Sequence, residues 1–490
     1  MKKPNVLVIM CDQMKATASH LYGSTFCHTP SMERLANDGV LFKHAVTPHP
    51  LCVPARISFW TSQFPHSHGG RRNETLMPAD ARHAFKIWKD EGFHCGLIGK
   101  NHCFETEADL DLFDTYCEIT HGGIPKGREQ TKGMEWFRSI EQINAGHAGR
   151  RNMPKISPQF NYAVTDFPLE DYSTGLVCGQ TVRFLEKHQE DPFALWVSIP
   201  DPHAPYECPE QYVIPPEDVE MPPWRDDEYT DGTTSERNEA LHAMIGVEDD
   251  PIEEVKACVG VYHGMVKFLD DGIGQILDAL DRLDLRKNTI VVFCSDHGDY
   301  SGEHGQIAKG GAFYDCLTRV PLIVSYPESV TPGVVDESMV NLIDIVPTLF
   351  ELQGLNVPRA MHGKGLPSVT NAEPRDATFS EYGAGGPPFT MADLETFEKP
   401  WGRRAIGKSL RWREAEGRRK MVRTREWKYV HDSMGDKDEL YDLVNDPWEL
   451  QNVVDDATHT QVLADLRLKL ADWSIDTEDA KPVPLPEDDV

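Results

Sequence analysis

Short apolar runs and longer amphipathic stretches alternate along most of the chain. The apolar runs have the length of buried strands, and they cover residues 6–10, 95–98, 193–199, 289–294 and 322–324. The amphipathic stretches include residues 30–39 and 253–283, and the second repeats apolar side chains at helical spacing. This alternation predicts an α/β fold in which helices sandwich a large mixed, mostly parallel central sheet. In such sheets, ligands bind beyond the carboxyl ends of the strands.

The pattern changes in the last quarter of the chain. Residues 420–429 and 439–443 predict short strands and residues 461–473 a closing helix, which indicates a smaller α+β subdomain with a short antiparallel sheet. We predict three units: a catalytic domain over residues 1–370, a C-terminal subdomain over residues 371–480, and a proline-rich acidic tail over residues 481–490. Two segments rich in proline, glycine or acidic residues are predicted to be long surface loops, and they cover residues 213–251 and 383–402.

The charge balance limits the classes of partner. The chain has 490 residues, and its 49 basic and 79 acidic side chains leave a net charge of −30. A protein this acidic repels phosphate backbones, so we expect no nucleic-acid partner. If the substrate is itself an anion, the site must contain a local cluster of positive side chains.

The cysteines and the N-terminal residues bear on the cellular compartment in which the protein is expected. The eleven cysteines lie between Cys11 and Cys316, and their odd number and scattered spacing do not suggest a disulfide framework. The apolar run at residues 6–10 is too short for the core of a signal peptide. No stretch approaches the roughly 20 apolar residues that cross a bilayer. We therefore expect a cytoplasmic protein without a membrane partner, and the sequence leaves a homo-oligomer open.

Two predicted strands end at carboxylates that suit a metal ion. Asp12 and Gln13 follow the first strand, while Asp296 and His297 follow the strand at residues 289–294. Two carboxylates, an amide oxygen and an imidazole can bind one divalent ion such as Mn²⁺ or Ca²⁺. The alternative is that each aspartate only caps a turn.

Cys52 is a candidate nucleophile. It precedes Pro54 and Arg56, and Pro54 fits the first turn of a helix, which places Cys52 at the helix N-terminus. Unpaired backbone N–H groups and a nearby arginine attract anions and lower the pKa of a thiol. The alternative is an ordinary buried cysteine, and the spacing alone does not decide between the two.

The segment Cys-x-Pro-x-Arg at residues 52–56 resembles the modification signature of the sulfatase family, within the alkaline phosphatase superfamily. The resemblance continues in order from about residue 4 to about residue 475. Its other landmarks are residues 5–12, 99–102, 201–206, Tyr262, Asp270, Asp271, residues 295–298, Lys309, residues 344–348, His362 and residues 440–449. Each landmark is short, and it is their order that identifies the chain as similar to this family.

The resemblance implies an alkaline phosphatase-like fold and a defined chemistry. Cys52 would be converted to Cα-formylglycine by a formylglycine-generating enzyme or an equivalent, and one divalent metal ion would bind beside it. The metal ligands implied are Asp12, Gln13, Cys52, Asp296 and His297. Arg56 and Lys100 would help to activate the nucleophile. His203 and Lys309 would lie on the leaving-group side, and His102 would take a proton when sulfate is expelled.

Two departures from the common family pattern bear on the metal and the substrate. Gln13 and His297 stand where many sulfatases carry Asp and Asn, and the pair resembles the choline-sulfatase and phosphonate monoester hydrolase branches. One negative charge is lost and an imidazole is gained, which shifts the expected ion from Ca²⁺ towards Mn²⁺. The loop at residues 383–402, with Phe389, Phe397 and Trp401, could line a pocket for a cationic or aromatic alcohol, or be a plain surface loop.

These observations predict a hydrolase of the sulfatase or arylsulfatase type that cleaves a small-molecule sulfate monoester. The first alternative is a phosphonate monoester or phosphodiester hydrolase with the same nucleophile. The second is a non-catalytic family member that binds an anion or a partner, which the retention of Cys52, Arg56 and both aspartates disfavours.

Overall fold

The computed structural model describes residues 3–151, 161–225, 228–229, 232–399, 401 and 416–478. Its strands are β1 (Asn5–Asp12), β2 (Val40–Val46), β3 (His94–Gly99), β4 (Thr115–Glu118), β5 (Tyr162–Thr165), β6 (Phe193–Pro202), β7 (Tyr206–Pro209), β8 (Thr289–Ser295), β9 (Arg319–Val320), β10 (Leu322–Ser325), β11 (Val334–Asn341), β12 (Thr378–Tyr382), β13 (Arg419–Arg423), β14 (Trp427–Asp432) and β15 (Glu439–Asp442).

The α-helices within these residues are α1 (Pro30–Asn37), α2 (Cys52–Thr61), α3 (Pro65–His68), α4 (Ala84–Asp90), α5 (Glu107–Asp111), α6 (Ile140–Gly146), α7 (Ala148–Arg151), α8 (Ser173–Lys187), α9 (Glu236–Ile245), α10 (Ile252–Arg282), α11 (Asp315–Thr318), α12 (Ile345–Gln353), α13 (Met391–Leu394) and α14 (Thr460–Asp476). Among these described helices, none combines the length and the apolar character needed to cross a membrane.

A nine-stranded sheet forms the centre of the described chain. Its order is β11-β2-β10-β8-β1-β6-β3-β4, and β9 pairs with β2. The ladders β1–β6, β1–β8, β3–β6, β3–β4 and β2–β11 are parallel. Only the ladders that β10 makes with β2 and β8, and the short β2–β9 pair, are antiparallel. The predicted mixed, mostly parallel sheet is therefore confirmed.

Strand β1 shows why this sheet is sandwiched. All eight of its residues are buried, as expected for a parallel strand covered on both faces. Leu7 and Ile9 face a core cluster that includes side chains of α1, α8 and α10. Val6 and Val8 face the opposite cluster, which includes side chains of α2, α4 and α12. Alternate residues of one strand thus hold two helix layers together.

A second, antiparallel sheet of order β12-β13-β14-β15 forms the smaller C-terminal unit. One face packs against α14 through an apolar cluster that includes Tyr429, Leu470 and Trp473. The strand predicted over residues 420–429 is a hairpin instead, because Thr424 and Trp427 close a tight turn between β13 and β14. The domain boundary at residue 370 stays a prediction, and the predicted tail at residues 481–490 lies outside the described residues.

The two predicted surface loops are partly wrong. Residues 213–251 contain α9, whose Ala240, Leu241 and Met244 are buried. Their packing partners include Phe389 and Leu394 from the other predicted loop, both buried in the same cluster. Their composition of proline and acidic residues masks this pairing, because each segment buries its apolar side chains against the other and against distant residues such as Tyr314 and Leu317. Phe389 is therefore a core residue, and the described part of 383–402 is not a plain surface loop.

Candidate active site

Four neighbouring strands of the central sheet end at one place. Asp12 is the last residue of β1, Asp296 follows β8, Lys100 follows β3 and His203 follows β6, and these strands are adjacent in the order β8-β1-β6-β3. The carboxyl ends of parallel strands share one edge of a sheet, which brings the four side chains together. The N-terminus of α2 points Cys52 into the same place.

The thiol of Cys52 lies at the centre of this cluster. Its Sγ is 2.8 Å from Lys309 Nζ, 3.1 Å from His297 Nε2, 3.6 Å from Asp12 Oδ1 and 3.9 Å from Lys100 Nζ. Burial by itself raises the pKa of this thiol, but the charges of Lys100, Lys309 and His297 outweigh burial and hold the pKa well below its ordinary value. The position therefore stabilises a negative charge on the side chain of residue 52.

Arg56 lies one turn further along α2 and bridges the two carboxylates. Its Nε donates to Asp296 Oδ2 at 2.9 Å and its Nη2 donates to Asp12 Oδ2 at 2.9 Å. Its Nη1 donates to the carbonyl of Lys100 at 2.9 Å and to Ser198 Oγ at 2.8 Å. Arg56 is fully buried, so this planar fork fixes the orientation of both carboxylates rather than facing solvent.

The donor set beside Cys52 fits a divalent ion. One donor atom each from Asp12, Cys52, Asp296 and His297 lies within 4.8 Å of the others, and all four residues are buried. His297 Nδ1 donates to the carbonyl of Gly298 at 2.9 Å, which directs Nε2 at the cluster. The neighbouring carboxylate of Asp296 raises the pKa of this ring although burial alone would lower it, so binding of an ion at Nε2 would release the Nε2 proton. An imidazole held in this orientation and two buried carboxylates are ligands that Mn²⁺ accepts.

Gln13 supplies a further observation in favour of an ion. Its backbone N–H donates to Asp296 Oδ1 at 3.1 Å and its Nε2 donates to Asp299 Oδ2 at 2.5 Å. Its Oε1 is buried without a hydrogen-bond partner in the described structure. The backbone at Gln13 has φ 71°, a strained value for a residue with a side chain. A cation would satisfy this acceptor, since an unpaired buried oxygen is costly.

Lys100 and His102 extend from the end of β3. Gly99 has φ +110°, and a Cβ there would lie 1.9 Å from the carbonyl oxygen of Ser198, so only glycine allows this turn. Lys100 is fully buried and its Nζ donates to Asp12 Oδ2. His102 has φ 67° and is partly buried beside Cys52. Burial and the charge of Lys100 lower the pKa of His102, so its ring is a neutral base at neutral pH.

His203 and Lys309 line the more open side of the cluster. Both are only partly buried, in contrast to Asp12, Cys52 and Asp296. His203 Nδ1 donates to the carbonyl of Ala204, and the ring also hydrogen-bonds Cys52. Burial and the charge of Lys309 lower the pKa of His203 to about 4. A substrate entering from this side would meet His203 and Lys309 before it meets Cys52.

Several residues of this site were missed by the sequence reasoning. His121 stacks on His203 with ring centroids 4.5 Å apart and planes at 14°. Asp299 accepts from Gln13 and, at 2.7 Å, from Tyr206 Oη, and so orients the Gln13 amide. Asn73 Oδ1 accepts from the Val53 N–H at the start of α2 at 3.1 Å. Only Asp299 had a visible signal, since it follows Asp296 by three residues in Asp-His-Gly-Asp.

Tyr262 and Asp270 of α10, which belong to the family resemblance, support neighbouring backbone and do not reach Cys52. Tyr262 Oη donates to the carbonyl of Gln13 at 3.0 Å and supports the turn after β1. Asp270 accepts instead from the N–H groups of Ser31 and Met32, and so it caps α1. Asp270 therefore serves helix packing and does not contribute to the cluster around Cys52.

The chain is similar over most of its length to proteins that have been classified or solved. A family model described as Sulfatase matches residues 4–355. An arylsulfatase of Clostridium perfringens is 26% identical, with 95% of this chain and 93% of that protein covered. A choline-sulfatase of Rhizobium meliloti is 27% identical, with 98% and 88% covered. The crystal structure of a phosphonate monoester hydrolase of Agrobacterium radiobacter has a TM-score of 0.76 at 24% identity and covers 96% of both chains.

Proposed function

Because the chain belongs to the sulfatase family of hydrolases that act on sulfate esters, we propose that it cleaves a small-molecule sulfate monoester to an alcohol and inorganic sulfate at Cys52. The observation that carries this proposal is the convergence of His297, Lys309 and Lys100 on the Cys52 side chain within 3.9 Å. Groups that stabilise negative charge surround the atom that would attack.

The local charge supports an anionic substrate despite the acidity of the whole protein. The protein carries a net charge of −30. Arg56, Lys100 and Lys309 carry three positive charges against the two negative charges of Asp12 and Asp296, which leaves one positive charge before any ion binds. A sulfate monoester carries one negative charge, so it is attracted to this cluster and repelled by most of the remaining surface.

For the nucleophile, we propose that Cys52 is oxidised to Cα-formylglycine by a formylglycine-generating enzyme or an equivalent, which supplies the oxidant and removes the sulfur. We propose that the aldehyde then hydrates to a geminal diol. Cys52 Sγ marks the place where one diol oxygen would lie, beside Lys309 and Lys100. These cations favour loss of a proton from that hydroxyl. A second oxygen on the same carbon allows sulfate to be expelled later, which a plain serine or cysteine side chain cannot do.

For the metal, we propose one divalent ion, Mn²⁺ or Ca²⁺, held by Asp12, Gln13, Asp296, His297 and modified residue 52. When bound, the ion would act as a Lewis acid on negative oxygen atoms at the site. The unpartnered Gln13 Oε1 and the direction of His297 Nε2 towards the cluster support this ligand set.

The remaining side chains then have separate tasks. The diol oxygen attacks sulfur, the ester S–O bond breaks, and the alcohol leaves on the side of His203 and Lys309, one of which supplies its proton. Lys309 carries a proton at neutral pH because its pKa is raised, whereas His203, with a pKa of about 4, can supply one only if the bound anionic substrate raises that pKa. His102 takes the proton of the second hydroxyl, the aldehyde re-forms, and sulfate is expelled. The neutral state of His102 suits this role as a base.

Mass spectrometry of the peptide that contains residue 52 tests the nucleophile directly. We expect a mass about 18 Da below that of the cysteine form in protein from its native host, because sulfur and two hydrogens are replaced by oxygen. Cys52→Ala should abolish turnover and leave the fold intact, since the change removes one small buried side chain and leaves the bridge of Arg56 to Asp12 and Asp296 in place. Activity of Cys52→Ala within tenfold of wild type, or thiol alone at this position, would favour a non-catalytic anion-binding protein.

The same charges favour a second candidate, hydrolysis of phosphonate monoesters or phosphodiesters. These substrates also carry one negative charge, so the net positive charge of the cluster does not discriminate against them. A panel of sulfate, phosphonate and phosphodiester esters, assayed on metal-loaded protein, decides between the two. A higher kcat/KM for phosphorus esters than for every sulfate ester would overturn the assignment of sulfate as the main substrate.

We also propose a cytoplasmic location. All eleven cysteines are buried free thiols, which is usual in a reducing compartment. Fractionation of the native host is the test, and recovery of the protein outside the cytoplasm would contradict the proposal.

A further inference from the structure

Arg150, in α7, is bonded to the chain on both sides of His203. Its Nη2 donates to Asp201 Oδ1, and its Nε donates to Glu207 Oε2 at 3.1 Å. Its Nη1 donates to the carbonyl of His121 at 3.1 Å. Asp201 precedes His203 by two residues and Glu207 follows it by four. One side chain therefore connects both ends of the turn that carries His203 with the residue that stacks on the His203 ring.

The second oxygen of each carboxylate is also held. Asp201 Oδ2 accepts from Thr174 Oγ1 at the start of α8, at 2.6 Å. Glu207 Oε1 accepts from Thr165 Oγ1 at the end of β5, at 3.0 Å. Hydrogen bonds between a guanidinium and carboxylates are among the stronger ones in a protein. With both oxygens of each carboxylate engaged, the turn at residues 201–207 is fixed relative to α7, α8 and β5.

Arg150 is too deeply buried to bind a substrate. The side-chain exposures of Arg150, Asp201 and Glu207 are 3%, 4% and 1%. Among the residues that the structure describes, the hydrogen bonds of Arg150 do not include Cys52. Any effect of Arg150 on the chemistry at Cys52 must therefore pass through the segments that it holds, which are those of His121 and His203.

From this geometry we propose that Arg150 is a positioning residue that assists departure of the alcohol by holding His203 and the stacked His121 in place. The proposal rests on the proposed function, in which the alcohol leaves on the side of His203. Proton transfer to a leaving group depends steeply on the distance between donor and acceptor. A lysine at position 150 would keep the charge but could not reach three acceptors at once, because only the planar guanidinium has donors in three directions.

Kinetics on two sulfate esters with different leaving groups test the proposal. Arg150→Met and Arg150→Lys should each lower kcat/KM for an alkyl sulfate about 10- to 10²-fold. The loss for nitrophenyl sulfate should be less than about threefold, because nitrophenolate leaves without a proton. A loss of folded protein would lower both rates by the same factor, so the ratio of the two rates reports the position of His203 and not the stability of the fold.

Arg286→Met is the matched control. Arg286 is also buried, with 11% side-chain exposure, and it lies 3.9 Å from Asp38 Oδ2. It precedes β8 and so lies at the end of that strand opposite to Asp296. Its replacement should lower the melting temperature, as that of Arg150 does, but should leave the ratio of alkyl to nitrophenyl rates unchanged.

A double-substitution cycle tests whether Arg150 acts through His203. In the His203→Ala background, Arg150→Lys should lower the rate on the alkyl sulfate by less than about threefold, because the side chain that Arg150 positions is already absent. The same 10- to 10²-fold loss in both backgrounds would show that Arg150 acts on another part of the site.

Each outcome supports or overturns the proposal. A changed ratio in both Arg150 variants, lost in the His203→Ala background, supports it. Equal losses on the two esters, or full additivity with His203→Ala, overturn it and leave the sulfatase assignment intact, because turnover by the wild type establishes that assignment separately. A wild type that hydrolyses neither ester overturns the proposed function, and the role of Arg150 with it. If Arg150→Met does not fold, Arg150→Lys gives the same decision, because it keeps a positive charge beside the two buried carboxylates.

Discussion

Replacing Arg56 by methionine tests whether this arginine holds the two aspartates in place or only adds charge to the site. Arg56 bridges Asp12 and Asp296 through two hydrogen bonds of 2.9 Å, and all three side chains have no exposed surface. Methionine fills a similar volume without charge. The change therefore leaves two buried carboxylates, with Lys100 in contact with Asp12 and with His297 Nε2 3.8 Å from each carboxylate.

The expected magnitude follows from this burial. Removing one partner of a buried ion pair costs about 3–5 kcal/mol. Unfolding entropy is about 2.1 cal/mol/K per residue, or about 1 kcal/mol/K for a chain of 490 residues, so the melting temperature should fall by about 3–5 °C. The fall should be largest in metal-free protein. Added Mn²⁺ or Ca²⁺ should recover part of it, because an ion at Asp12 and Asp296 compensates the same charges.

Arg56→Lys is the matched control, because it keeps the charge and removes the planar fork. A lysine can reach one carboxylate but cannot bridge Asp12 and Asp296 while also donating to Ser198. We expect a smaller loss of melting temperature than in the methionine variant, and a loss of kcat/KM of about 10² or more in both variants because the carboxylates are misplaced. Thermal melts with and without metal, and steady-state kinetics on one sulfate ester, measure both quantities.

Two results would refute this reasoning. A melting temperature of metal-free Arg56→Met within 1 °C of wild type would show that the bridge from Arg56 to Asp12 and Asp296 contributes little to the stability of the fold. Full activity in Arg56→Lys would show that positive charge alone is sufficient and that the fork has no positioning role.

Three further substitutions test the rest of the structure. His203→Ala should slow the hydrolysis of alkyl sulfates about 10²–10⁴-fold and that of nitrophenyl sulfates less than tenfold. Equal losses of rate on both substrates would exclude His203 as the proton donor. His121→Ala should slow the hydrolysis of alkyl sulfates by up to about tenfold, because the ring stack on His203 is lost. His121→Phe should restore most of the rate, and equal rates in the two variants would argue against stacking. Burial alone would raise the pKa of Glu381, but its hydrogen bond and charge contact with His66 lower this pKa to about 2. The ionised carboxylate therefore stabilises the folded state by about 3 kcal/mol above pH 4.5, and this contribution is lost as the pH falls towards 2. Urea unfolding should therefore show a flatter acid dependence for Glu381→Gln, and parallel curves would contradict this.

The parts of the site that the sequence predicts well depend on local rules. Asp12 and Asp296 end apolar runs, and strand ends of a parallel sheet meet at one edge, so the pattern places both at that edge. Their proximity also depends on the pairing of β1 with β8, which the structure shows. Pro54 marks the first turn of α2 and so places Cys52 at its start. Each of these inferences needs only the few residues on either side of the one it concerns.

Other parts of the site depend on long-range packing and have no local signal. Lys309 reaches Cys52 from an irregular segment 257 residues away in sequence, and only the family resemblance suggested it. His121 stacks on His203 because the segment after β4 folds back over the end of β6, and no spacing rule predicts this contact. The helix α9 was missed for the same reason, since its apolar face is buried by residues 389–394 rather than by its neighbours in sequence.

The C-terminal sheet reaches the active site through the segment that carries Lys309. Arg419 of β13 donates to the carbonyl of Gly311, and Lys428 of β14 donates to the carbonyl of Phe313 at 2.8 Å. Both carbonyls lie within four residues of Lys309, so the strands of the smaller sheet fix the backbone that presents this lysine to Cys52. Hydrogen bonds from charged donors to buried carbonyls are among the stronger ones in a protein.

Asp315 anchors the far end of that segment to the same sheet. It accepts from Arg423 Nη2 at 2.7 Å and from Lys428 Nζ at 2.8 Å. Burial alone would raise the pKa of Asp315, but these two cations hold it well below its usual range, so the carboxylate stays ionised and paired. The smaller sheet therefore supplies the charges that position Lys309, and the central sheet without it would have the metal ligands and Cys52 but no fixed cation on the leaving-group side.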